Sequence, residues 1–192
     1  MAARPPRTPT ATLEIVNIYL EMRKPPPPRS GFTPPHRKLA LLRAEEMPVH
    51  FYRYLYERVG EPWLWYERRL LDDRTLAAIV QDDKVEIYVL YAGGSPAGFA
   101  ELDRRRDNEI ELAYLGVMPE RIGQGLGRYL LEWAVEMAWA YAPQRLWVHS
   151  CNLDHPRALQ YYQRAGFVPY RQETKRIEDP RATGIIPAKP SA

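Results

Sequence analysis

The apolar positions of this chain change period several times, and each change marks an element. Over 85–91, Val85, Ile87, Val89 and Tyr91 alternate with Glu86, Tyr88 and Leu90, the period-two pattern of a strand. Gly93-Gly94-Ser95-Pro96 supplies a turn, and AGFAELD at 97–103 forms the returning arm of a hairpin. After a charged turn at 104–108, EIELAYLGV at 109–117 predicts a further strand. Upstream, LEIVNIYL at 13–20 is β-branched and apolar and predicts an opening strand. Tyr52, Leu55, Tyr56 and Val59 fall at helical spacing, so 48–59 reads as a helix with Pro48 in its first turn and Gly60 at its end. Asp72 or Asp73 N-caps a second helix carrying Leu76, Ile79 and Val80.

The second half continues the alternation of element types. From 126 to 141 nearly every position is apolar, and Arg128, Glu132 and Glu136 form a narrow polar stripe, so this helix is buried on most sides. QRLWVHS at 144–150 predicts a strand, His155 to Ala165 a helix closed by Gly166, and Phe167 to Gln172 a last strand. The predicted order is strand, helix, helix, three strands, helix, strand, helix, strand. That order gives a mixed α/β sheet with an antiparallel meander at its centre. Residues 1–12 and 173–192 read as flexible tails around one domain at 13–172. Residues 22–38 include four consecutive prolines and read as an extended connector; a ligand for a proline-binding domain is the other reading.

Composition narrows the class. The chain has 192 residues, 45% hydrophobic and 27% charged, enough for one domain with a real core. Its one cysteine, Cys151, excludes an intramolecular disulfide and a multi-cysteine zinc site. No apolar run approaches the roughly 20 residues of a membrane span. The N-terminus has no apolar signal region, so the expected location is cytoplasmic, with no membrane partner. Net charge is only +3, and acids and bases alternate, as in Asp103-Arg104-Arg105-Arg106-Asp107. A nucleic-acid partner is not expected from that pattern.

The most informative segment is VMPERIGQGLGRYLLEWA, in which Gly123, Gly125 and Gly127 lead from a strand end into the buried helix. Glycines let backbone approach a ligand, and a helix N-terminus offers unpaired N–H donors and positive partial charge. The output is a cradle for a pyrophosphate. Arg128 breaks the dinucleotide G-x-G-x-x-G spacing, and no Gly-Lys-Ser/Thr follows, which removes the triphosphate loop. This loop and the later Ala158-Leu159-Gln160-Tyr161-Tyr162-Gln163-Arg164-Ala165-Gly166-Phe167 resemble the two signatures of the GNAT superfamily of acyl-CoA-dependent N-acetyltransferases. Ile122 stands where that family's loop carries Arg or Gln, with Arg121 adjacent, and Tyr161 takes a leucine's place in the second signature.

The resemblance implies a single domain whose mixed, mostly antiparallel, twisted sheet is flanked by helices and splays at its centre to hold acyl-CoA. It implies acetyl-CoA as co-substrate, with Ile122, Gly123, Gln124, Gly125, Leu126, Gly127 and Arg128 at the pyrophosphate. It also implies Leu115, Gly116 and Val117 along the pantetheine arm, their N–H groups polarising the thioester carbonyl. No metal is implied; Asp154 and His155 are adjacent, but two residues do not make a metal site.

Acetyl transfer to an amine needs a proton acceptor, a polarised carbonyl and a proton donor for the leaving thiolate. Glu109, Glu111, Ala113, Leu115 and Val117 share one strand parity, so the carboxylates are expected on the side of the cofactor residues, unless a bulge intervenes. Glu111, eleven residues before Ile122, has the spacing at which the family's histone-acetylating branch carries its basic glutamate. Glu111 is therefore the expected base, with Glu101, His149 or ordered water as alternatives. Tyr162 holds the tyrosine place of the second signature and is the expected acid. Cys151 as an acyl carrier is not expected, because the family transfers directly. Trp63, Trp65 and Tyr66 are expected to wall the acceptor site or to fill the core beside it.

The expected function is transfer of acetyl from acetyl-CoA to a primary amine of a small molecule. A protein lysine or N-terminus as acceptor, and a non-catalytic acyl-CoA-binding module, remain open. The amine acceptor is the expected partner, and a homodimer is left open.

Overall fold

The computed structural model describes residues 11–27 and 38–187. Most of the two expected tails' outer ends and of the proline-rich connector lies outside the described residues. Among the described residues seven strands form one sheet: β1 (Thr12–Met22), β2 (Leu39–Arg43), β3 (Val85–Ala92), β4 (Ser95–Asp103), β5 (Glu109–Val117), β6 (Arg145–Cys151) and β7 (Val168–Glu178). Their spatial order is β2-β3-β4-β5-β6-β1-β7. Helices α1 (Val49–Gly60) and α2 (Asp73–Val80) cover one face. The other face carries α3 (Leu126–Ala140) and α4 (Ala158–Ala165).

Each face has its own core. Leu126, Leu130, Leu131, Ala134, Val135 and Ala138 of α3 pack with Leu102, Ile110, Leu112, Leu146 and Val148 of the sheet. On the opposite face Tyr52, Leu55, Tyr56 and Val59 of α1 meet Ile87, Val89 and Phe99. Burial of these side chains supplies the main driving force for both layers. Asp72 N-caps α2 by accepting a hydrogen bond from the Thr75 amide at 2.7 Å. Gly60 does not end α1 by a left-handed turn, since its φ is −90°. It is there for close approach: a Cβ would lie 2.5 Å from the Trp65 side chain.

Three features depart from the pattern-based reading. The segment LALLR forms β2, paired with β3 and at the edge of the sheet among the described residues, which the apolar pattern did not reveal. The last strand runs to Glu178 rather than Gln172, because Thr12–Asn17 of β1 pair with Glu173–Glu178 of β7. Beyond it Asp179 accepts from Arg181 at 2.7 Å and Ile186 is buried, so 173–187 belongs to the domain and is no fraying tail.

The third departure is in β5. Tyr114 pairs with Glu101 of β4, but Leu112 pairs with Leu102, so Ala113 has no partner there. This is a β-bulge, and it reverses the alternation. Leu112 and Leu115 both belong to the α3 side, while Tyr114 packs on the α1 side. Glu111, which alternates with the α3-facing Ile110 and Leu112, therefore shares the side of Tyr114. The expected grouping of Glu109 and Glu111 with Leu115 and Val117 is overturned.

Candidate active site

The site arises where the sheet comes apart. β5 and β6 run parallel and pair only at Glu109–Glu111 with Arg145–Trp147. Beyond that point a cavity of about 350 Å³ opens between them, lined from β5 by Leu112 to Val117 and from β6 by Val148, His149 and Cys151. Leu115, Gly116 and Val117 stay bonded to β4 on their other side, opposite Ala100, Phe99 and Gly98. Their edge toward β6 is left without strand pairing, and that edge is where an extended arm could add its own hydrogen bonds.

The glycine loop closes one end. Gly123 and Gly125 have φ of +86° and +79°, left-handed values that a side chain would strain. Gly125 is the N-cap residue of α3, and the amides of the first turn have no carbonyl within the helix to bond. A Cβ at Gly123 would stand in open space, so the loop is shaped by backbone conformation and not by crowding. Ile122, Gly123, Gly125, Gly127 and Arg128 line the cavity; Gln124 and Leu126 do not. Gln124 instead donates to the Glu120 carbonyl at 3.0 Å, and Leu126 is fully buried in the core. Arg128 pairs with Glu132 at 2.9 Å, one turn along the helix. The exposed donors and the dipole of a 15-residue helix fit a pyrophosphate.

Tyr162 enters from α4. Its ring packs edge-to-face on Phe167 and is 8% exposed. No described residue is hydrogen-bonded to its hydroxyl, and Tyr162 lines the cavity with Ala158 and Tyr161. Burial, helped by the Asp154 carboxylate, pushes the phenol well above the ordinary tyrosine range. Tyr162 therefore keeps its proton at neutral pH, the state a proton donor requires.

The opposite end is aromatic. Trp63, Trp65 and Tyr66 line the cavity, and Trp65 also packs on Tyr56 and Tyr114 at 5.4 and 5.1 Å between ring centroids. Trp65 thus both lines the cavity and packs into the core beside it. Trp63 meets His155 from the α4 side, edge to face at 5.2 Å. Lys175 of β7 lines the same end and lies 3.9 Å from Glu67.

The charged candidates separate by position. Glu111 is not in the cavity wall; His149 is, and its Nδ1 lies 3.6 Å from Glu111 Oε1. The Glu111 carboxylate raises the His149 pKa against the opposing effect of burial. Glu109 is engaged elsewhere, accepting from Arg145 at 2.7 Å. Glu101 is fully buried under α1, where it accepts from Tyr52 and Arg68, each at 2.6 Å. Cys151 lines the cavity, but burial pushes its thiol up to about 11. It is a poor nucleophile at neutral pH, because the thiolate is the reactive form. Among the described residues no three His, Cys, Asp or Glu side chains gather as metal ligands would. No helix among them is long and apolar enough to cross a membrane.

Glu67, Asp154, His155 and Lys175 line the site without having been singled out as site residues from the sequence. Asp154 had a signal, three positions past the end of β6, where its Oδ2 accepts from Ser150 Oγ and the Cys151 amide, both at 2.9 Å. Lys175 had none, since it lies in a charged stretch without apolar alternation.

Comparison with known proteins places this architecture. The model of the Acetyltransferase (GNAT) family matches residues 42–167, more than half of the chain. No curated protein matches. Among solved structures, an IAA acetyltransferase from Bacillus cereus is 26% identical, with a TM-score of 0.54 over 70% of this chain and 79% of that one. The ribosomal-protein-S18-alanine N-acetyltransferase from Escherichia coli has the same fold, with a TM-score of 0.57 at 21% identity over 70% of this chain and 80% of that one. A functionally unknown conserved protein from Staphylococcus epidermidis matches 88% of this chain with a TM-score of 0.57 at 16% identity. This chain spans 63% of that protein's length. With the family match running from β2 through the glycine loop to the end of α4, the chain belongs to the GNAT acetyltransferase family.

Proposed function

We propose that this protein transfers acetyl from acetyl-CoA to a primary amine of a small molecule. The observation that carries the reading is continuity. The glycine loop, Tyr162 and the aromatic wall at Trp63–Tyr66 all border one cavity that passes between β5 and β6. Donor and acceptor can thus meet without leaving the protein. The amides of Gly123 and of Gly125 to Arg128 hold the pyrophosphate, and the free edge of Leu115 to Val117 aligns the pantetheine arm and polarises the carbonyl. Tyr162 stands ready to return a proton to the leaving sulfur. Glu111 serves the opposite, proton-accepting side.

A small acceptor is favoured over a protein chain because paired side chains line the aromatic end of the cavity. Trp63 touches His155, and Lys175 faces Glu67. A compact amine would lie against these rings.

The test is thiol release from acetyl-CoA by the full chain, with a panel of small amines beside lysine-containing peptides. Turnover with at least one small amine and none with the peptides is expected. Turnover only with peptides would transfer the assignment to a protein acceptor. Acetyl-CoA binding without any amine-dependent release would make the chain a binding module.

A further inference from the structure

We infer that His149 takes the proton from the acceptor amine and that Glu111 is a positioning residue acting through it. The inference rests on the transfer reading above and names the group that completes it. It starts from the bulge at Ala113, which leaves Glu111 at the last paired position of the β5–β6 fork, opposite Trp147. His149 is two residues farther along β6, on the side opposite the core-facing Leu146 and Val148. It is therefore the first residue on that side beyond the fork, and it lines the cavity where Glu111 does not.

The ring is held in a defined way. Nδ1 lies 3.6 Å from Glu111 Oε1, and the Tyr19 ring lies 5.8 Å away on the β1 side. No described residue is hydrogen-bonded to Nε2. A carboxylate beside Nδ1 favours the tautomer with the proton on Nδ1, which leaves the Nε2 lone pair as the basic site. The charged and titratable groups facing the ring come from every neighbouring element. They are Glu111 of β5, Glu67 of the 67–70 turn, Asp154 after β6, Lys175 of β7 beside Glu67, and Tyr19 of β1. Three carboxylates against one ammonium favour the imidazolium that forms when the proton arrives.

Three other candidate acceptors are already engaged. Both Glu101 oxygens accept hydrogen bonds in the core, Asp154 accepts from Ser150 and the Cys151 amide, and the Cys151 thiol retains its proton. In the reaction, one ammonium proton passes to Nε2, and the freed lone pair forms the N–C bond as the C–S bond breaks. The sulfur leaves with that electron pair and takes a proton from Tyr162. The nitrogen's second proton restores the tyrosine, and the proton on His149 goes to solvent, so one proton is released per turnover.

Two measurements on the full chain decide it. The first is nitrogen-15 spectroscopy of the histidine rings across pH, with the His149 signals identified by their loss in His149→Gln. The expected result is an Nδ1-protonated neutral tautomer whose pKa falls in Glu111→Gln. An Nε2-protonated tautomer, or a titration indifferent to Glu111→Gln, overturns the pairing whether or not an acceptor is known. The second is the pH profile of kcat/KM with an accepted amine. The rate should rise along a limb above the ordinary imidazole value of about 6.5, since the base must be neutral. Glu111→Gln should move that limb to lower pH. His149→Gln should remove it and lower kcat about 100-fold, with acetyl-CoA affinity unchanged. A wild-type pH profile in His149→Gln overturns the role. Absence of turnover by wild type with acetyl-CoA bound overturns the transfer reading itself, and with it the proton transfer, even where the spectra uphold the pairing.

Discussion

Arg68 Nη2 lies 2.6 Å from Glu101 Oε1, joining the 67–70 turn to a carboxylate that is fully buried in β4. Tyr52 donates to the other oxygen, and the Arg68 guanidinium also lies over the Tyr114 ring at 5.3 Å. The ion pair therefore ties the 67–70 turn, α1 and the bulged part of β5 to one point. Removing the arginine leaves an uncompensated charge in a dry site. Arg68→Ala should lose about 3 kcal/mol in urea unfolding. Glu101→Gln in that background should recover part of the loss; equal stability of wild type and Arg68→Ala would contradict the account.

Tyr162→Phe removes only the hydroxyl and keeps the packing on Phe167. Turnover should fall at least about 10-fold, within the usual range for a lost general acid, while acetyl-CoA affinity holds. Equal turnover would return Tyr162 to a purely packing role.

Cys151 should react slowly with iodoacetamide at pH 8 and speed up only as pH approaches its raised value of about 11. The sign follows from chemistry: a raised thiol pKa means less thiolate at any given pH. Mass spectrometry after mixing with acetyl-CoA should find no acetyl group on Cys151. A stable acetyl adduct would replace direct transfer by a covalent route.

Residues 173–192 read from the pattern as a flexible tail, but the pairing of β7 makes deletion of 174–192 costly. The deletion removes the β7 partners of Thr12–Val16 and takes Lys175 from the cavity wall. Lower thermal stability and weaker acceptor binding should follow. A truncated chain with wild-type melting and kinetics would show that this half of β7 is dispensable.

The layered fold was legible because its elements bury one face or two: the alternation in β3 and the nearly all-apolar α3 leave little choice. β2 and the second half of β7 were not, for a physical reason. Both are at sheet edges, most of their side chains are exposed, and the sequence there shows no alternation to read. The glycine loop was readable because left-handed backbone before a helix requires glycine. The bulge was not, since Ala113 is an ordinary strand residue and only pairing with β4 reveals it. That one unpaired residue moved Glu111 to the other side of the sheet and shifted attention to His149. Glu101 carried a weaker sign, a carboxylate among apolar neighbours, but its partner Arg68 is too distant in sequence to be inferred.

The central claim is most directly tested by calorimetric titration of the full chain with acetyl-CoA, beside NAD and beside the Gly125→Glu variant. That variant places a side chain at a left-handed position and a negative charge at the α3 N-terminus. The account predicts saturable binding of acetyl-CoA by wild type, none of NAD, and loss of binding in Gly125→Glu that remains folded. Undiminished acetyl-CoA affinity in the variant, or no binding by the folded wild type, would contradict it.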